Sequence, residues 1–173
     1  MKLSVKGALA SIMMLLASLS PFLGQQQSRN GTFQVTLYEW YDIYISPSTI
    51  TFTDVPPEIS SSPPKVRIEA NENPVSVRAF AIIFPKSNLQ LTVTANSDFD
   101  ATIPASTVSW DASGSGYQAG QLLAGKPVVV GQWTGSTIVH WHEGKLNFYF
   151  DRDYVNQVPG TYSITATFTL SKV

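Results

Sequence analysis

The chain of 173 residues contains no cysteine. No disulfide framework, thiolate metal site or thiol nucleophile is therefore available to it, and stability has to come from an apolar core, from partners or from glycans. Charge is sparse as well. Asp, Glu, Lys and Arg make up 13% of the residues, and eleven basic against twelve acidic side chains leave a formal charge of −1. This argues against nucleic-acid binding, which shows as a basic patch or stripe. Beyond the N-terminal region no apolar run is long enough to span a membrane as a helix, and nothing after residue 30 has the 3.6-residue period of a long amphipathic helix. HExxH, GxSxG and phosphate-loop patterns are missing too. With no convergent catalytic set, the chain does not read as an enzyme, and no cofactor is implied.

What is present opens with a targeting pattern. Lys2 and Lys6 form a positive n-region, residues 8–19 an apolar stretch, and Pro21 and Gly24 interrupt any helix. This is the layout of a secretory signal over residues 1–24, with no clean A-x-A ahead of Gln25 to mark the cut. Its removal would leave a secreted, extracellular or cell-surface protein without a membrane segment. Losing Lys2 and Lys6 takes the eleven basic residues to nine against twelve acidic, a formal −3. A second reading stays open: Lys6-Gly7-Ala8 resembles the cleavage site of type IV pilin precursors, in which residues 8–24 would be retained as a helix.

The remainder reads as all-β. Short runs rich in β-branched and aromatic residues recur between clusters of Pro, Gly, Ser and Asn. Strands are expected at 49–53, 65–70, 75–84, 89–95, 107–110, 127–133, 136–141, 145–151 and 161–171. Residues 75–84 are nearly all apolar and are expected to be central and buried on both faces. The last run, TYSITATFTLS, puts Tyr162, Ile164, Ala166, Phe168 and Leu170 on one face and Ser or Thr on the other. One helical turn is expected near 117–123. The architecture implied is a single jelly-roll or β-sandwich domain of about nine or ten strands over residues 41–173.

Residues 25–40 precede that domain as an N-terminal extension. The run 32–45, TFQVTLYEWYDIYI, alternates like a half-buried strand, with Phe33, Val35, Leu37, Tyr41, Ile43 and Ile45 on one face and Glu39 interrupting it. Fourteen residues would span roughly 45 Å, well beyond an ordinary strand of about 5–6 residues. It is expected to be two strands in series, separated by a hinge at Glu39 and Trp40.

VTLYEWYDIYISPSTITFTDV and the closing VPGTYSITATFTL resemble the first and last strands of exported microbial β-sandwich proteins. In layout the chain is similar to TasA/camelysin-type biofilm-matrix fibre proteins and archaeal bundling pilins. This resemblance implies a structural subunit of an extracellular filament, partnered by copies of itself head to tail and by neighbouring filaments or a cell surface. It further implies polymerisation by donor-strand complementation, in which Phe33, Val35 and Leu37 of one subunit fill a groove in the next. The alternatives are a monomeric surface-binding module, for carbohydrate or adhesion, in which 32–45 is simply a bent first strand, and the helix-retaining pilin.

Other residue groups are weaker signals. His140 and His142 share one side of a strand, as two metal ligands would, without a locatable third. Asp98 with Asp100, and Asp151 with Asp153, fit Ca²⁺ or acid/base chemistry but fit turn hydrogen bonding better. Tyr38, Trp40, Tyr44, Trp110, Tyr117, Trp133, Trp141 and Tyr149 are candidates for a sugar-stacking platform or for core and cross-strand pairs. Asn30-Gly31-Thr32 is an N-glycosylation sequon at the root of the extension.

Overall fold

The computed structural model describes residues 34–54, 65–83, 86–136 and 141–173. The leader, Asn30, Phe33, Phe84 and His140 lie outside them. Backbone contacts divide the chain into Met1–Thr36 and Leu37–Val173, and among the described residues every strand belongs to the second unit. That unit is an all-β sandwich of two antiparallel sheets. The strands are β1 Trp40–Ser46, β2 Lys65–Glu69, β3 Val75–Ile82, β4 Ser87–Ala95, β5 Val108–Ser113, β6 Gly120–Gln121, β7 Val128–Ser136, β8 Trp141–Asp153 and β9 Ala166–Lys172.

The larger sheet runs β1-β3-β8-β5-β6, with β2 also paired to β8. The smaller runs β7-β4-β9. The thirteen residues of β8 organise the larger sheet. One edge of β8 pairs with β3 through Phe80↔Trp141 to Val75↔Leu146, then with β2 through Glu69↔Tyr149 to Lys65↔Asp153. Between these two ladders the side chain of Asn73 stands in for a strand: its Nδ2 donates to the Phe148 carbonyl and its Oδ1 accepts from the Phe148 amide, both at 2.8 Å. The chain can therefore bend between β2 and β3 without orphaning Phe148.

The core follows the alternation of the strands. Val75, Val77, Ala79 and Ala81 of β3 and Leu146 and Phe148 of β8 face Leu89, Leu91, Val93 and Ala95 of β4. Trp110, Tyr117, Leu122 and Trp133 belong to the same buried cluster. Tyr41, Ile43 and Ile45 pack against it from β1, as the alternation of that run predicts.

Three expectations need correction. β3 is interior to its sheet, but only one face is buried: Arg78 is exposed and Phe80 half-buried on the other. A sandwich covers each antiparallel sheet on one side only, so a nearly apolar strand still has an outer face. Residues 117–123 form no helical turn. They run extended, with Tyr117 bridged to Gly131 and β6 paired to β5, and Gly120 sits flat against the Trp110 ring. Finally, neither 49–53 nor the first part of 161–171 joins a ladder, and β9 begins only at Ala166.

Tyr117 gives the fold a titratable lock. Its hydroxyl lies 2.7 Å from the His142 carbonyl and 3.1 Å from that of Val77, and its ring meets Trp133 edge-on at 5.1 Å. Burial, followed by the charge of Glu143, pushes the phenol well above the ordinary tyrosine range. A raised folded-state pKa means that this contribution is complete below the unfolded value, about 10, and is lost as pH rises past it. The urea midpoint should therefore stay level up to about pH 10 and then fall. Tyr117→Phe should cost about 1 kcal/mol at neutral pH and flatten the alkaline fall. An unchanged alkaline limb in that variant would show that other groups drive it.

Candidate functional site: an apolar gap between two unpaired strand-like segments

The segment 49–54, TITFTD, leaves β1 after a turn, and 158–165, VPGTYSIT, leads into β9. Both carry strand-type alternation. Ile50 and Phe52 turn inward from the first, Tyr162 and Ile164 from the second, and all four are half-buried. Between the segments lies a cavity of about 680 Å³. Its floor and roof are core residues of the two sheets, Val108, Phe148 and Phe150 on one side and Val93 and Phe168 on the other, with Phe99, Ile103 and Leu122 at the back. Phe150 packs on Phe52 at 5.8 Å and edge-on to Phe99 at 6.1 Å.

Each wall is tethered at a point without joining a ladder: the Thr51 carbonyl accepts from the Asn71 amide and the Thr165 carbonyl from the Asn96 amide, each at 2.9 Å. Glu72 accepts hydrogen bonds from the Thr51 amide, at 2.7 Å, and the Thr51 hydroxyl, at 2.6 Å. These bonds hold its carboxyl below the usual range. Asp54 accepts from the Tyr154 hydroxyl at 2.6 Å and pairs with Arg152 Nε at 3.3 Å. Arg152, 8% exposed, also donates to the Gln157 carbonyl and side chain. On the other wall the Asn96 side chain accepts from the Thr165 amide at 2.9 Å. Among the described residues, the backbones of Ile50 and Phe52 and of residues 161–164 make no backbone hydrogen bond. These open backbone groups, beside an apolar cavity, could pair with an added strand.

The residues singled out by sequence fall as follows. Val35 and Leu37 are 78% and 84% exposed. Trp40 already belongs to β1, opposite Ile82. Glu39 accepts from the Tyr41 hydroxyl and pairs with Lys172 of β9, each at 2.7 Å, so it fastens the start of β1 to the end of the chain. His142 stacks on Trp133 at 4.5 Å, nearly parallel. Among the described residues no cluster of His, Asp and Glu is arranged to hold a metal. Asp98 and Asp100 bond the backbone at 102–105, and Asp153 the turn after β8, which are turn roles. Of the eight candidate aromatics, Trp110, Tyr117 and Trp133 are buried in the core. Sequence reasoning named neither the cavity nor Arg152, although the two unpaired runs that frame it were legible as strands. No family model, curated protein or solved structure matches the chain.

Proposed function

We propose that this chain is a structural subunit of an extracellular filament, and that the cavity is the acceptor for the N-terminal extension of another copy. The observation that carries this reading is the pair of strand-patterned, unpaired segments on either side of an apolar gap. One extra strand satisfies both and fills the space between them. The extension supplies matching chemistry. Val35 and Leu37 are among the most exposed large apolar side chains in the described structure, and covering each is worth about 1.5–3 kcal/mol. Phe33 continues the same alternation. A contact between the front of one copy and the side of the next is heterologous, so it propagates as an open fibre. The N-terminal targeting pattern supports assembly outside the cell, and the resemblance to TasA/camelysin-type fibres and bundling pilins supports the same reading.

The mature chain should form fibres visible by negative-stain microscopy. Removing residues 25–38 should leave a monomer of lower thermal stability. A mature chain that stays monomeric at high concentration, with 32–38 protected from hydrogen exchange, would overturn the proposal.

A further inference from the structure

On the opposite, outer face of the larger sheet, the register brings a second set of side chains together. Trp40, Asp42 and Tyr44 of β1 stand opposite Ile82, Phe80 and Arg78 of β3, and Phe80 and Arg78 stand opposite Trp141 and Glu143 of β8. Trp40 is 65% and Trp141 37% exposed. Both indoles are carried on hydrogen-bonded strands, so neither is at a loop tip. The Trp141 ring rests against Phe80 at 5.1 Å. Arg78 is held by Glu143 at 3.3 Å and lies over the Tyr44 ring at 5.6 Å. Trp141, Phe80, Arg78 and Tyr44 are thus held in place before any ligand arrives, which lowers the ordering cost of binding there.

We propose that this face binds a neutral polysaccharide, the apolar C–H faces of its pyranose rings stacking on Trp40 and Trp141 and its hydroxyls bonding to Asp42 and the Arg78–Glu143 pair. The charge pattern selects this class of partner. Arg78 and Glu143 neutralise each other, so the platform offers no net positive charge to a polyanion. Asp42 stands between Trp40 and Tyr44 along the exposed side of β1 and makes no ion pair among the described residues. A dry protein interface over the two indoles would bury that carboxylate uncompensated, at considerable cost. A polyol arrives with hydroxyl donors for it and leaves the rim wet. Sets of stacking rings bordered by planar polar groups also suit sugars, which present one apolar and one hydroxylated aspect. The site is separate from the cavity and stands whether or not the chain polymerises.

The test uses the mature full chain, in whatever assembly state it adopts. Retention on insoluble cellulose and chitin would be measured, with calorimetric titration of cellohexaose and chitohexaose. Binding to at least one is expected, with Trp40→Ala or Trp141→Ala weakening it about tenfold, the scale of one stacked aromatic contact. The double variant should abolish it, and Asp42→Ala should weaken it several-fold. Near-UV circular dichroism from the buried Trp110 and Trp133 reports that the sandwich is intact in each variant. No binding tighter than about 1 mM to any of the four probes, or binding unchanged in the double variant, would overturn the proposal. So would self-association that is lost with Trp40 and Trp141, which would assign the face to a second copy.

Discussion

Two full-length variants, each unable to form fibres alone, should form a one-to-one dimer when mixed. The first carries Val35→Lys and Leu37→Lys, which place charge on the extension where the acceptor is apolar. Its own cavity is untouched, so it accepts a strand but cannot donate one. The second carries Ile164→Lys, which sets an ammonium into the wall of the cavity. Its extension is intact, so it donates but cannot accept. Burying an unpaired lysine costs several kcal/mol, comparable to the ~1.5–3 kcal/mol that each apolar knob contributes, so each block should be complete in practice. In the mixture only one junction can form, because the dimer's free extension is the charged one and its free cavity is the charged one. Size-exclusion chromatography with light scattering should show monomer, monomer and dimer for the three samples, and fibres for the wild type. Fibres from either variant alone, or a mixture that stays monomeric, would remove the cavity from the assembly mechanism. Ile164 is only half-buried, so the second variant is expected to remain folded, and its circular dichroism is the internal control.

The parts of this fold that could be read from sequence are those where one strand's own alternation decides its burial. In β1 the triplet Tyr41, Ile43 and Ile45 was enough to identify the core side. What could not be read depends on partners. The run 161–165 has a strand's pattern, but a pattern cannot say whether a neighbouring chain is there to complete a ladder. The same holds for 49–53. At 117–123 the difference is of another kind: the segment runs extended where a helical turn is expected, and the lack of a side chain at Gly120 serves the close approach of Trp110, which no local pattern shows. The candidate site was legible only as its two walls. The cavity between them depends on sheet stacking, and the aromatic platform depends on the register of β1, β3 and β8. Sequence alternation alone placed Trp40, Asp42 and Tyr44 on one face, but the register is needed to add Phe80 and Trp141 to it.

The largest effect on stability should come from one methyl group. Gly144 of β8 lies under the ring of Tyr117, and a Cβ there would come within 3.0 Å of three ring carbons. Its φ is not in the left-handed region, so alanine is compatible with the backbone itself, and in an open strand the change would be mildly favourable, about 0.5–1 kcal/mol. Here it has to displace the ring. Tyr117 then loses its seat against Trp133 and its hydrogen bond to the His142 carbonyl, and its buried volume is left partly empty. Gly144→Ala should therefore cost about 3–5 kcal/mol, the same as Tyr117→Ala, because both empty one site. Deleting the ring also deletes the clash. In a Tyr117→Ala background Gly144→Ala should be neutral or slightly stabilising, so the double variant is no less stable than Tyr117→Ala alone. That sign reversal amounts to a coupling of about 3 kcal/mol or more, at or above the upper end of what contacting residues show. Urea unfolding of the four proteins closes the cycle. Additive losses would mean that the strand shifts to admit the methyl group, and that Tyr117 does not depend on the glycine beneath it.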